Sequence, residues 1–208
     1  MTRIAAIIPV GTLEGAKSRL GESLDAEERA DLVGGLLART VVAALAVDRL
    51  GDVLVVSPDR EVLRRATELG ARTLRQRSGG LNAGLVEARA DVVAGGAEAI
   101  LVLPIDLPFV TSGAIAAVLE PAADEPGTGP VVVLVTDRHG TGTNALALRP
   151  PNVIEFAFGV GSRGAHRAAA DAARAAYVEI DGPLTVDLDT PDDLVFVEAI
   201  ATEGVGAG

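Results

Sequence analysis

Apolar runs alternate with amphipathic segments along most of the chain, and this order restricts the fold more than any other feature. The runs at 3–10, 52–57, 71–74, 99–104 and 130–135 predict strands. Most of them are apolar at successive positions, which favours a sheet covered on both faces. The repeated β-α order therefore predicts an α/β fold with a mainly parallel central sheet and helices on both faces.

Helical patterns lie between these runs. The clearest begins at Asp25, a predicted N-cap, with Glu28 three residues later as in a capping box. The apolar positions that follow, each four residues after the last, are Val33, Leu37, Val41 and Leu45. The remaining predicted helices lie at 59–69, 82–94, 111–120, 162–174 and 191–201.

The rhythm changes after residue 135. The segment TDRHGTGTN (136–144) has the composition of a turn, and ALALRP (145–150) predicts a short strand. We expect a β-hairpin insert here rather than another β-α unit. No linker divides the chain, so we predict one domain over 1–202 and a flexible tail over 203–208.

The charge balance excludes some partners. The formal net charge is −11, which repels nucleic acids and anionic membranes. A small anionic ligand remains possible if local cations or a metal intervene. The chain has no Cys, so disulfides and thiolate metal sites are excluded, and we expect a cytoplasmic protein.

One carboxylate stands in an otherwise apolar stretch, LVLPIDLPFV (101–110). Asp106 lies between Pro104 and Pro108, at the end of a predicted strand. An unpaired buried carboxylate costs several kcal/mol, roughly 3–5, so it needs a partner. It is either a turn residue that accepts backbone N–H groups or a ligand for a hard cation at the carboxyl edge of the sheet. We favour the second interpretation.

Two more carboxylates occur in LTVDLDTPDD (184–193). Asp187 and Asp189 alternate with apolar residues, so in an extended segment they share one face. Such carboxylates repel each other unless a metal or cations lie between them. Capping of a helix that begins at Pro191 explains one of them but not both. With Asp106 they form an all-oxygen set, which suits Mg²⁺.

Two glycine-containing loops are candidate anion sites. In PVGTLEGAKSRLGE (9–22), backbone N–H groups near Lys17 and Arg19 predict a phosphate cradle, although a solvated basic loop is equally compatible. The P-loop and dinucleotide-binding patterns are both absent there. In FGVGSRGAH (158–166), Ser162 follows two glycines and predicts a helix N-cap, where an anion or an ordinary cap would fit.

Other polar residues are ambiguous on their own. Thr143 and Asn144 are ordinary hairpin residues by composition. His139 and His166 are the only histidines, and their spacing matches no metal site.

Six short motifs occur in a fixed order: AKSRL (16–20), GLNAGL (80–85), LPIDLP (103–108), GTGTNALALRPP (140–151), FGVGS (158–162) and VDLDTPDDL (186–194). Together they resemble the guanylyltransferases of coenzyme F-420 biosynthesis, of the archaeal 2-phospho-L-lactate and bacterial phosphoenolpyruvate types. The resemblance covers residues 4 to about 200. It implies the nucleotide-diphospho-sugar (glycosyltransferase-A-like) transferase fold, which molybdenum-cofactor guanylyltransferases share.

The resemblance also implies roles for matching positions. The implied Mg²⁺ ligands are Asp106, Asp187 and Asp189; the implied acid-binding residues are Thr143, Gly159 and Ser162; and the implied nucleotide contacts are Gly11, Lys17, Arg19, Leu81 and Asn82. Lys17, Arg19 and Asp106 would be catalytic. One departure is Gly11, where the family often has Lys, so the charge near the triphosphate is lower here.

The expected reaction is Mg²⁺-dependent transfer of GMP from GTP to the phosphate of phosphoenolpyruvate, with release of pyrophosphate. A homodimer is one possible assembly, and the product would pass to the next transferase of the pathway. Alternative acceptors are 2-phospho-L-lactate, 3-phospho-D-glycerate and a molybdopterin, and CTP or ATP could replace GTP. A non-catalytic nucleotide-binding regulator is a different class, and a nicotinamide-dependent oxidoreductase is disfavoured by the missing glycine fingerprint.

Overall fold

The computed structural model describes residues 2–12, 25–122, 129–188 and residue 193. The strands are β1 (Ile4–Pro9), β2 (Leu50–Ser57), β3 (Arg72–Arg75), β4 (Ala99–Val102), β5 (Val131–Val135), β6 (Ala145–Arg149) and β7 (Ala176–Glu179). The helices are α1 (Ala26–Leu45), α2 (Arg60–Glu68), α3 (Leu81–Ala94), α4 (Ser112–Leu119) and α5 (Ser162–Ala172). Short 3₁₀ turns occupy Glu120–Ala122 and Pro183–Thr185.

The strands form one seven-stranded sheet in the order β3-β2-β1-β4-β6-β5-β7. Within the described chain, every neighbouring pair is parallel except the two pairs that involve β6. This confirms the predicted α/β class and mainly parallel sheet. The predicted hairpin also forms, because Val135 pairs with Ala145 and Val131 with Arg149. It is not a peripheral insert, however, since β6 lies inside the sheet between β4 and β5.

Helices cover both faces of the sheet, as the doubly apolar strands require. Successive residues of β1 point to opposite sides: Ile4 and Ala6 pack with α1, α2 and α4, whereas Ala5 and Ile7 pack with α3 and α5. All four are at most 2% exposed. Burial on both faces explains why β1 shows no polar alternation.

Two expectations need correction. The strand β7 was not predicted, because its four residues are half-buried or exposed and make no apolar run. In α1, Val33, Leu37 and Val41 are buried as predicted, but Leu45 is 45% exposed and Ala44 packs in the core instead. The 3.6-residue period of a helix explains this drift away from a strict four-residue spacing.

Some expectations fall outside the described residues. Apart from residue 193, the predicted helix at 191–201 lies there, and so does the tail at 203–208. The domain boundary at residue 202 therefore stays a prediction. No helix of the described chain is both long and apolar enough to span a membrane.

The capping box at the start of α1 is formed as predicted. The Asp25 carboxylate accepts from the backbone N–H groups of Glu27 and Glu28, at 2.8 and 2.9 Å. The Glu28 carboxylate accepts from the Asp25 N–H at 2.8 Å. The box satisfies N–H groups that have no partner within the helix.

We predict that Asp25→Ala lowers the free energy of unfolding by about 1 kcal/mol, because the first turn of α1 loses its cap. Urea denaturation measures this change. Asp31→Ala is the matched control, since Asp31 is an exposed carboxylate further along the same helix. Equal losses in both variants would contradict a capping effect.

Candidate active site

A cavity of about 820 Å³ opens at the edge of the sheet where β1, β4 and β5 end. Ligands of open α/β sheets bind at this carboxyl edge. The antiparallel strand β6 begins at the same edge, so the loop before it also contributes. The lining residues are Pro9 to Thr12, Leu81, Pro104 to Asp106, Asp137, Thr141 to Asn144, Phe158 to Ser162, and Asp187.

The structure brings most of the candidate residues together. Those that line this cavity are Gly11, Leu81, Asp106, Thr143, Gly159, Ser162 and Asp187. Asn82 is the described candidate that does not line it. Lys17, Arg19 and Asp189 lie outside the described residues, so their predicted roles stay untested.

Asp106 and Asp187 are both half-buried at the cavity wall, and the backbone ties their segments together. The N–H of Leu188 donates to the Asp106 carbonyl oxygen at 2.9 Å. Because Asp106 lies at the cavity rather than inside the core, part of its side chain stays accessible. Among the described residues, no group of three or more acidic or histidine side chains is arranged to hold a metal. The third predicted ligand, Asp189, lies outside the described residues.

Asn144 fixes the segment that carries Asp187. Its side-chain amide donates to the carbonyl oxygens of Leu184 and Thr185, at 3.0 and 3.1 Å, and lies 3.5 Å from an Asp187 oxygen. Sequence reasoning treated Asn144 as an ordinary turn residue. The feature that distinguishes Asn144 from an ordinary turn residue is its burial, at 6% exposure. Burial of a turn residue cannot be read from the sequence.

Ser162 does not cap α5, which corrects the sequence prediction. The N-cap is Gly161, in the left-handed conformation with φ 73°, and Ser162 is the first helical residue. The Ser162 hydroxyl instead donates to the Thr143 hydroxyl oxygen at 3.0 Å. A positive φ is open to Gly at little cost, so Gly161 turns the chain and leaves the Ser162 side chain facing Thr143.

Asn82 joins two segments of the site. Its amide nitrogen donates to the Phe158 carbonyl at 3.0 Å, and its amide oxygen accepts from the Phe158 N–H at 2.9 Å. This pair of bonds holds the FGVGS loop against the start of α3. Contact with the nucleotide, the role predicted for Asn82, stays a prediction, whereas Leu81 beside it lines the cavity.

Asp137 closes the loop between β5 and β6. Burial opposes its ionisation, but the N–H groups of Gly142 and Thr141 and the Thr141 hydroxyl outweigh burial and hold the pKa of Asp137 below its ordinary value. The Thr141 N–H donates at 2.7 Å. A Cβ on Gly142 would lie 2.8 Å from an Asp137 oxygen, so this close approach needs glycine. Asp137 therefore shapes the loop that carries Thr143.

An ion pair adds a further constraint on the same loop. Arg138 pairs with the Asp193 carboxylate, whose side chain is 6% exposed. On the other side, Arg163 of α5 donates to the Gly140 carbonyl at 3.0 Å. The loop between β5 and β6 is thus tied both to residue 193 and to the start of α5.

The charge of the cavity wall is negative. Within the described lining, the ionisable side chains are Asp106, Asp137 and Asp187. An anionic ligand would be repelled unless cations accompany it. The neutral part of the wall carries the hydroxyls of Thr143 and Ser162. The site therefore combines hydroxyls with carboxylates, which are the kinds of group that bind phosphates and hard cations.

Solved structures show the same fold. A Desulfovibrio desulfuricans protein, proposed to be a nucleotide-diphospho-sugar transferase, superposes with TM-score 0.75 at 15% identity, over 95% of this chain and 87% of that one. A CMP:2-keto-3-deoxy-manno-octonic acid synthetase in complex with CTP gives TM-score 0.65 at 14% identity, over 98% and 100%. The glucosyl-3-phosphoglycerate synthase of Mycobacterium tuberculosis, with Mn²⁺, uridine diphosphate and phosphoglyceric acid, gives 0.64 at 14% identity, over 94% and 74%.

The chain thus has the fold of nucleotide-diphospho-sugar transferases, with a polar cavity at the carboxyl edge of its sheet. Residues 4–204 match the family described as "Guanylyl transferase CofC like", and the chain belongs to that family. It is 48% identical over 198 residues to the phosphoenolpyruvate guanylyltransferase of Rubrobacter xylanophilus, covering 94% of each chain. It is 43% identical to the enzyme of that name from Sphaerobacter thermophilus, covering 93% of this chain and 91% of the relative. The predicted family and guanylyltransferase class are confirmed, and the regulator and oxidoreductase alternatives are not favoured.

We predict that Asn144→Ala lowers the free energy of unfolding by about 1–3 kcal/mol, because two carbonyls of the 183–185 turn lose their buried donor. We also expect weaker guanylyltransferase activity, because the segment that carries Asp187 loses its support. Denaturation and turnover in the same preparation measure both. Asn152→Ala, in an exposed turn, is the control and should change neither.

Proposed function

We propose that this protein transfers GMP from GTP to the phosphate of phosphoenolpyruvate and releases pyrophosphate. The observation that carries the proposal is one cavity lined by Asp106, Asp187, Thr143 and Ser162 in a chain of the guanylyl transferase family. The names of its relatives support phosphoenolpyruvate as acceptor over the other phospho-acids.

The proposed chemistry needs no histidine or cysteine at the reacting atoms. The acceptor phosphate is already ionised at neutral pH, so no base must remove a proton from it. One of its oxygens attacks the α-phosphorus of GTP in line. The bond from that phosphorus to the oxygen bridging it to the β-phosphorus breaks, and pyrophosphate leaves with the electron pair. The product is the acid joined to GMP through a diphosphate.

Both reactants are anions, so the site must neutralise and align them. Asp106 and Asp187 present carboxylate oxygens at one cavity and fit a hard divalent cation such as Mg²⁺, with Asp189 as the predicted third ligand. Bound there, Mg²⁺ would offset negative charge on the phosphates of GTP and on the leaving pyrophosphate. The Mn²⁺-containing synthase of the same fold is compatible with such a metal.

The cations of the first loop would do the same work for the nucleotide. Lys17 and Arg19 follow Gly11 and Thr12, which line the cavity, and we assign them to the GTP phosphates. Gly11 itself leaves open space, since a Cβ there would meet nothing within 4 Å. Leu81 is assigned to the nucleotide by its place in the lining, and Asn82 by the family resemblance.

The acceptor would lie against the neutral wall. Thr143 supplies a hydroxyl donor, Ser162 donates its own hydrogen to Thr143, and Gly159, with φ 133°, holds a backbone conformation that other residues rarely adopt. The product would pass to a transferase that consumes a GMP-activated acid. A cytoplasmic location and a homodimer remain expectations.

The deciding experiment measures pyrophosphate release with Mg²⁺ and GTP, offering phosphoenolpyruvate, 2-phospho-L-lactate and 3-phospho-D-glycerate separately. Release with phosphoenolpyruvate alone supports the proposal. Release with only one of the other acceptors would show that this acid, and not phosphoenolpyruvate, is the substrate. Replacing GTP by CTP or ATP tests the specificity for the nucleobase. Folded protein that binds GTP but releases no pyrophosphate with any acceptor would indicate a non-catalytic regulator.

We predict that Asp106→Asn reduces kcat at least about a hundredfold. The proposed Mg²⁺ would lose a carboxylate ligand, and the negative charge on the reacting phosphates would be less well offset. Thermal unfolding should stay near wild type, since Asp106 lies at the cavity rather than in the core. Asp171→Asn, an exposed carboxylate near the end of α5, should keep full activity. Near-normal turnover of Asp106→Asn would remove the metal argument.

We predict that Ser162→Ala raises the KM for phosphoenolpyruvate about tenfold and the KM for GTP much less, because the hydroxyl belongs to the acceptor wall. Steady-state kinetics with each substrate varied in turn measure both constants. Ser112→Ala is a matched control, since Ser112 is likewise the first residue of a helix, α4, away from the cavity. Equal rises in both KM values would contradict the acceptor assignment.

A further inference from the structure

His166 is buried behind the cavity wall, although the proposed chemistry uses no histidine. The residue is 0% exposed and does not line the cavity. Its Nε2 lies 3.0 Å from the backbone nitrogen of Ala157, and its Nδ1 lies 3.0 Å from the Thr143 hydroxyl oxygen. The Phe158 ring packs against the imidazole at 5.2 Å between centroids. Both ring nitrogens therefore have partners, and one partner is a residue of the acceptor wall.

These contacts determine where the imidazole carries its proton. A backbone N–H can only donate, so Nε2 must accept from Ala157. In a neutral ring the other nitrogen then carries the hydrogen, and Nδ1–H donates to Thr143. Burial disfavours the charged form and lowers the pKa of His166 to about 4, so the ring is neutral near pH 7.

The Thr143 hydroxyl is constrained in turn. A hydroxyl has two acceptor positions and one hydrogen. The oxygen of Thr143 accepts from Nδ1–H of His166 and from the hydroxyl of Ser162, at 3.0 Å each. With both acceptor positions used, the hydrogen of Thr143 must point in a third direction. Because Thr143 lines the cavity, an acceptor atom in that cavity can receive it.

We propose that His166 is a positioning residue: through its Nδ1–H it holds the Thr143 hydroxyl as a hydrogen-bond donor directed at an anionic oxygen of the phospho-acid acceptor. The inference rests on the proposed function for the identity of the acceptor. The chain of hydrogen bonds starts at the Ala157 N–H and ends at the substrate. Its direction is fixed because a backbone N–H can only donate. A threonine without it could equally present a lone pair, which would repel an anion.

A neutral chain of this kind suits an acceptor that must also react. It supplies a directed donor without placing a full positive charge beside the nucleophilic phosphate. A histidine that only filled the core would have no reason to act on one substrate more than on the other. Selectivity for the acceptor is thus the distinguishing readout.

Nuclear magnetic resonance of ¹⁵N-histidine-labelled wild type tests the chain without any assay of activity. The protein has two histidines, and His139 is exposed, so His139→Gln assigns the remaining signals. At pH 7 we expect His166 as the neutral Nδ1–H form with Nε2 as acceptor. The Nε2–H form, or a charged ring, would overturn the proposal.

Two matched variants test the consequence. In His166→Asn the amide nitrogen takes roughly the place of Nδ1 and can still donate to Thr143. In His166→Gln the amide takes roughly the place of Nε2 and keeps only the contact with Ala157. We expect the KM for phosphoenolpyruvate to stay within about threefold of wild type for Asn and to rise about tenfold for Gln, with the KM for GTP nearly unchanged in both.

Thr143→Val removes the hydroxyl at nearly constant shape and should also raise the KM for phosphoenolpyruvate about tenfold. Adding His166→Gln to it should cause no further rise, because the two residues act as one unit. Additive rises, or equal rises in both KM values, would overturn the proposal. Circular dichroism checks that each variant folds. If the His166 variants do not fold, the kinetics of Thr143→Val and the nuclear magnetic resonance spectrum of the wild type decide the proposal.

Failure of the proposed function gives a different pattern. The wild type would then release no pyrophosphate with phosphoenolpyruvate, whatever the state of His166. The tautomer would still confirm or overturn the donor chain to Thr143. If the wild type is active with another phospho-acid, the KM values of the same variants are compared for that acceptor.

Discussion

The reversed direction of β6 determines how the cavity is built. This strand lies between β4 and β5 and is antiparallel to both, so its first residue stands at the edge where they end. Thr143 and Asn144, just before β6, therefore lie at the same cavity as Asp106, just after β4. A parallel strand of this length would carry its preceding residues to the opposite edge, about 15 Å away at roughly 3.3 Å per residue.

Two consecutive residues then serve the two halves of the site. Thr143 faces the hydroxyl of Ser162 and the ring of His166, whereas Asn144 holds the backbone before Asp187. Because they are adjacent in the chain, one short turn connects Ser162 and His166 with the segment before Asp187. The proposed in-line transfer requires a fixed distance and angle between the two reactants, and this turn would help to fix both.

Much of the fold follows from local patterns, because β1, β2, β4 and β5 are apolar on both faces and flank clear helices. The edge strand β7 cannot be predicted from a local pattern, because it forms by pairing with β5 and has no apolar run. In the site, a charge in an apolar run identified Asp106, and alternation identified Asp187. Thr143 was assigned only through family resemblance, because a threonine in a turn carries no distinctive signal.

The remaining features depend on contacts distant in sequence. His166 and Thr143 are 23 residues apart, and neither spacing nor composition indicates that they touch. Ser162 was expected to cap α5, but whether a serine caps depends on the φ of its neighbour, and Gly161 takes the left-handed position instead. Asn82 likewise reaches 76 residues along the chain to Phe158.

The placement of charge suggests why the two walls differ. In the proposed reaction the leaving pyrophosphate gains negative charge, so cations and a metal belong on the nucleotide side. The attacking phosphate must give up electron density, and a cation held against its reactive oxygen would stabilise the lone pair that has to react. A Thr143 hydroxyl held from behind by a neutral imidazole can orient the acceptor without that penalty. The burial of His166, which keeps the ring neutral, is then as important to the site as the hydrogen bond that it donates.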